Sequence, residues 1–139
     1  MTKSDKPVGL TKDTGYQVGA RRTIDVPHSA AWDFILSPEG LKIWLGPVSS
    51  IELREKESYE LDDGVSGEVR VLKPGSHIRL TWQPSDYPRP STIQVRVIPK
   101  GEKTTIAFHQ EHLPDSSVRE KRLAFFKHAL AQLEQVLPG

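Results

Sequence analysis

The chain contains no cysteine. That excludes disulfides, thiol nucleophiles and cysteine-based zinc or iron–sulfur sites, and it is compatible with the cytosol, the location expected here. No stretch reaches the roughly 18 consecutive apolar residues of a membrane-spanning helix. The segment Met1 to Thr14 carries three lysines and lacks the apolar run of a signal peptide. Neither sign of charge dominates: 19 Lys and Arg stand against 18 Asp and Glu, a formal net charge of +1. Such a balance gives no electrostatic footprint for nucleic acid or an anionic membrane. The Gly-Xaa-Ser-Xaa-Gly elbow, the P-loop and the dinucleotide fingerprint are all missing. His28, His77, His109, His112 and His128 offer no zinc spacing. His109 and His112 are three apart in an expected strand and point to opposite faces, so they cannot chelate one ion without a bulge. No metal and no cofactor is implied.

What the chain does contain is alternation. Its 139 residues, 36% hydrophobic and 27% charged, suit one domain able to bury about two-thirds of its unfolded surface. Residues 1–15 read as a flexible tail and 16–139 as the domain. The stretch from Gly67 to Trp82 reads as two strands around a Pro-Gly turn, with Val69 and Val71 on one face of the first and Ile78, Leu80 and Trp82 on one face of the second. Further strands are expected over Gln17 to Val26, Ser50 to Arg54, Ser58 to Leu61, Ser91 to Pro99 and Lys103 to Glu111, with a charged interruption at Glu55-Lys56-Glu57 and a turn at Asp62-Asp63-Gly64. Ser29 to Leu36 reads as a short helix. A second follows, capped by Ser37, with Pro38 at its first position. From Ser116 or Ser117, either able to cap, a long helix runs to about Leu137, with Leu123, Phe126, Leu130, Leu133 and Leu137 as its apolar stripe. This order gives an α+β fold with a curved antiparallel sheet of about six strands, two short helices and a long C-terminal helix packed across it.

The order resembles the helix-grip fold of the START-like superfamily, which includes the birch-pollen-allergen (Bet v 1) and polyketide-cyclase families. Arg21-Arg22-Thr23-Ile24-Asp25-Val26-Pro27 with Trp32, Pro38-Glu39-Gly40-Leu41-Lys42-Ile43-Trp44, Gly67-Glu68-Val69 with Ile78-Arg79-Leu80-Thr81-Trp82, and Leu113-Pro114 with Arg119-Glu120 are together similar to the activator of Hsp90 ATPase homologue 1-like family. The resemblance covers roughly residues 17 to 137. It departs where many relatives carry an aromatic residue, usually tryptophan, in the last helix, here Phe125 and Phe126. It departs again at the end of the last strand, here Gln110-Glu111-His112-Leu113. The resemblance brings no family-wide catalytic residues.

Three functions stay open. The first is a module binding a hydrophobic or aromatic small molecule between sheet and last helix, lined by Trp32, Trp44, Tyr59, Val69, Val71, Leu80, Trp82, Val95, Phe108, Gln110, His112, Arg122, Phe126 and Leu130. The second is a protein-interaction domain like the co-chaperone, with a protein partner. The third is a cyclase- or hydrolase-type enzyme using the same pocket. A monomer or weak dimer is expected. Arg119 and Arg122 fall within the apolar stripe of the last helix. Either they snorkel, with the guanidinium in water, or one guanidinium sits at the pocket mouth to bind a carboxylate or a neighbour such as Glu111.

Overall fold

Apart from residues 51–54, the apolar alternations become strands of one antiparallel sheet in the computed structural model, which describes residues 10–11, 15–49 and 51–137. A two-residue β1 (Leu10–Thr11) precedes β2 (Gly15–Ile24), α1 (His28–Leu36) and α2 (Pro38–Trp44). The chain then runs through β3 (Ser58–Glu60), β4 (Ser66–Lys73), β5 (His77–Trp82), β6 (Ser91–Lys100) and β7 (Lys103–Leu113) into α3 (Ser116–Val136). The strand order is β1-β2-β7-β6-β5-β4-β3, so β3 to β7 form a meander and β2 closes against the last strand. One inward row crosses five strands: Val69 faces Leu80, Leu80 faces Ile93, Ile93 faces Gln110 and Gln110 faces Val18. The next row sets Ile78 against Val95 and Val95 against Phe108. Residues opposite each other in antiparallel strands share a face, so these rows are the surface on which α3 lies.

Two bulges shift the phase along that surface. In β4 the register slips between Val69 and Val71, so Val71 pairs with Arg79 and Leu72 with Ile78. An extra residue moves every later side chain to the other face. Val71 is therefore on the outer face with Arg79, and Leu72 packs against the core. In β7 the two residues Glu111 and His112 stand against Gln17 alone, because Val18 faces Gln110 while Tyr16 faces Leu113. His112 takes up the extra length with φ +64, a conformation uncommon outside glycine. Leu113, at 2% exposure, takes the inward place expected of His112.

The helices follow their local signals, with one exception. Ser37 accepts a bond from the Gly40 amide at 3.1 Å and Pro38 opens α2. Gly40 is required here, since a Cβ would lie 1.9 Å from the carbonyl oxygen of Phe34. The cap of α3 is Asp115, not Ser116 or Ser117: its carboxylate accepts from the Val118 amide at 2.8 Å. The strand exit through Leu113-Pro114 holds Asp115 extended, as an N-cap must be.

Residues 51–54 do not form a strand. Pairing to β4 is made instead by Lys56, whose amide reaches the Val69 carbonyl at 2.7 Å, and by Glu57, whose carbonyl accepts from Val69 at 3.0 Å. Within the expected tail, Leu10 and Thr11 pair with Tyr16 and Gly15; residues 1–9 and 12–14 lie outside the described residues.

Candidate functional site

Beneath α3 a buried polar chain runs in one direction. The Ser91 hydroxyl donates to the Trp82 carbonyl at 2.6 Å, so its oxygen accepts from Gln110 Nε2 at 2.8 Å. That leaves Gln110 Oε1 to accept from Arg122 Nε at 2.7 Å. Ser91 and Gln110 are fully buried and Arg122 is 8% exposed. The chain thus begins on a strand carbonyl and ends on a cation of the helix.

The guanidinium lies in an aromatic box. Its carbon is 4.0 Å from the ring centre of Trp82, 4.4 Å from Phe125 and 4.9 Å from Phe126. These contacts offset part of its desolvation. They do not satisfy its donors: Nη2 is buried and, among the described residues, has no hydrogen-bond partner. Among the described residues Arg122 makes no ion pair. Burial pulls its pKa down to about 10, opposed by Tyr87 and Tyr59, so it remains charged at neutral pH. Burial also pushes the Tyr59 hydroxyl well above the usual tyrosine range, with Arg122 opposing. Tyr59 donates to the Thr81 carbonyl.

Of the residues expected to line a pocket, Trp32, Trp44, Tyr59, Val69, Leu80, Trp82, Val95, Phe108, Gln110, Arg122, Phe126 and Leu130 are all buried. Val71 and His112 are not among them, each turned out by its bulge. The His112 ring lies instead 3.5 Å from Glu111, a carboxylate also approached by Arg79 at 3.4 Å and His109 at 3.8 Å. Arg122 neither snorkels into water nor pairs with Glu111. Arg119 bonds the Gln17 carbonyl at 2.7 Å.

Two members of the site escaped the sequence reading. Ser91 shares the phase of Ile93 and Val95, which is a legible signal for an inward residue. Tyr87 sits in the proline-rich loop 83–90, where no periodicity applies. It is 8% exposed and packs edge-on against Trp82 at 5.8 Å.

The walls touch one another. Phe108 stacks on Phe126 at 5.0 Å and meets Trp44 at 6.1 Å. Trp44, Leu80, Val95 and Phe126 are at 0% exposure, so no water-sized void adjoins them. A groove of about 490 Å³ lies elsewhere, lined by Ser58, Tyr59, Glu60, Ser66 and Gly67. Tyr59 is common to both regions. Gly67 lets the sheet close behind it, because a Cβ there would lie 2.0 Å from the Thr81 oxygen and 2.7 Å from the Tyr59 ring.

Comparison with solved structures finds this architecture repeatedly. CalU16 from Micromonospora echinospora is 18% identical, with a TM-score of 0.74 over 86% of this chain and 74% of that one. A Chromobacterium violaceum protein is 21% identical, with a TM-score of 0.74 over 88% and 97%. The Aha1 dimer from Colwellia psychrerythraea is 13% identical, with a TM-score of 0.71 over 87% and 95%. At these identities the likeness is one of fold. Comparison with curated proteins finds no match. Residues 25–138 match the family described as activator of Hsp90 ATPase homolog 1-like protein. With the helix-grip sheet, its two short helices and the covering α3 in place, the chain belongs to that family, within the START-like superfamily.

Proposed function

We propose that the protein is a binding module for an apolar small molecule held between the inner face of the sheet and α3. One observation carries this reading: the buried chain Ser91–Gln110–Arg122 ends in a donor, Nη2, with no acceptor among the described residues. A side chain serving only to fill a core gains nothing from a buried unpaired donor, and native interiors rarely tolerate one. In a binding site the same donor orients a ligand, while the surrounding aromatic surface supplies affinity.

In this reading the closed interior is the resting state. Tyr87 is the displaceable wall. Its ring rests on Trp82, and its backbone is held by bonds to Pro84 and the Gln83 side chain at 3.0 Å each. The ligand enters by moving the loop that carries it. The protein-interaction reading finds less support. Among the described residues the exposed large hydrophobics are Ile98 and Val136, which form no broad apolar patch.

Native mass spectrometry of protein purified from its own host tests the proposal. A retained small molecule is the expected result. An empty protein whose NMR spectrum also shifts with no member of a lipid and aromatic panel would overturn it.

A further inference from the structure

We propose that the group Arg122 recognises is a carboxylate, carried on a flat aromatic body. This inference rests on the binding reading above and names the class of ligand. Two needs of the site converge on an anion. Nη2 needs an acceptor, and the guanidinium, which has no ion pair among the described residues, needs a counter-charge. A neutral carbonyl or hydroxyl would meet the first need and leave the second. A carboxylate meets both, and a charge-assisted bond is stronger than a neutral one.

The geometry prepares this contact. The direction of the chain leaves Gln110 Oε1 as the acceptor for Nε, so one edge of the guanidinium is held at 2.7 Å. Its carbon lies 4.0 Å over Trp82. A guanidinium stacked and anchored in this way retains its in-plane N–H bonds for a planar acceptor. The surrounding surface is aromatic: Trp82, Phe125 and Phe126 around the cation, with Tyr87 against Trp82. A flat ring can stack or meet these walls edge-on once Tyr87 moves.

The test compares 2-naphthoate with 2-naphthalenemethanol, which share a ring system and differ in charge, using quenching of tryptophan fluorescence and calorimetry. The intact protein should bind the acid about tenfold or more tighter than the alcohol. Arg122→Met should reduce the acid to the level of the alcohol, and Arg122→Lys should keep part of the preference. Circular dichroism checks that each variant is folded; should Arg122→Met not fold, the acid-to-alcohol ratio in the intact protein and in Arg122→Lys decides. Equal binding of acid and alcohol, or a preference that survives Arg122→Met, overturns the carboxylate and leaves the binding reading standing. Binding of neutral lipids with no response to the acid does the same. If no lipid or aromatic probe binds, both fall.

Discussion

Arg122 Nε donates a 2.7 Å hydrogen bond to Gln110 Oε1, joining α3 to β7 inside the core. The bond is the sole hydrogen bond of the guanidinium among the described residues, so removing either partner has unequal consequences. Gln110→Leu strands a buried cation and the Ser91 hydroxyl oxygen together, and should cost about 3 kcal/mol. Adding Arg122→Met to that variant removes the stranded charge and should recover about 1–2 kcal/mol. Urea denaturation of the two single variants and the double variant measures the coupling. A double variant no more stable than Gln110→Leu would show that the charge is not the dominant cost.

The β4 bulge makes two neighbouring valines unequal. Val69 is 1% exposed and sits opposite Leu80, whereas Val71 sits opposite Arg79 on the outer face. Val69→Ala should destabilise by about 2 kcal/mol, Val71→Ala by less than about 1 kcal/mol. Equal losses in denaturant melts would mean that the register does not slip there.

At the start of α3, Asp115→Ala should cost about 1 kcal/mol, because the Val118 amide loses its acceptor. Ser116→Ala and Ser117→Ala, inside the helix, should change stability by no more than about 0.5 kcal/mol. A larger loss at Ser117 would move the cap.

Alkaline pH tests the burial of Tyr59. Its hydroxyl titrates above the ordinary value of about 10 because burial disfavours the phenolate. A group whose folded pKa is raised contributes stability that is complete below the unfolded value and is lost as pH rises toward the folded one. Stability should therefore begin to fall near pH 10, and Tyr59→Phe should flatten that fall. Arg122 has the opposite sign: its pKa is lowered to about 10, so losing its proton above that pH relieves a buried charge and adds stability. Denaturation from about pH 9 to 11 in Tyr59→Phe and Arg122→Met separates the two slopes. An unchanged slope in Tyr59→Phe would contradict a buried hydroxyl.

Much of the fold was legible because its signals are local. Ser37-Pro38 marked the start of α2 from two adjacent residues, and the structure places both in those roles. Asp62-Asp63-Gly64 marked the β3–β4 turn, closed by the Leu61 and Val65 pair at 2.8 Å. Residues 51–54, where alternation alone was the signal, form no strand; a strand also needs a partner, and that edge of β4 is taken by β3 together with Lys56 and Glu57. In α3, Leu123 and Phe125 are half-buried and Val136 is 47% exposed, while Arg122, Phe126, Ala129, Leu130 and Leu133 are buried. Helical spacing named the side of the helix but not which part of it the sheet would cover.

The sequence by itself determined the inward faces of β5 and β6, because Ile78, Leu80 and Trp82, and Ile93, Val95 and Val97, follow from the two-residue repeat of a strand. It also determined that one long helix would cover them. Only the tertiary structure decided where that repeat breaks, at Val71 and His112, since a bulge is a property of two paired strands. It alone decided the state of Arg122. Helical spacing put that side chain on the apolar stripe. Whether its charge reached water depended on Trp82, Gln110 and the phenylalanines, brought together only when β5, β7 and α3 pack.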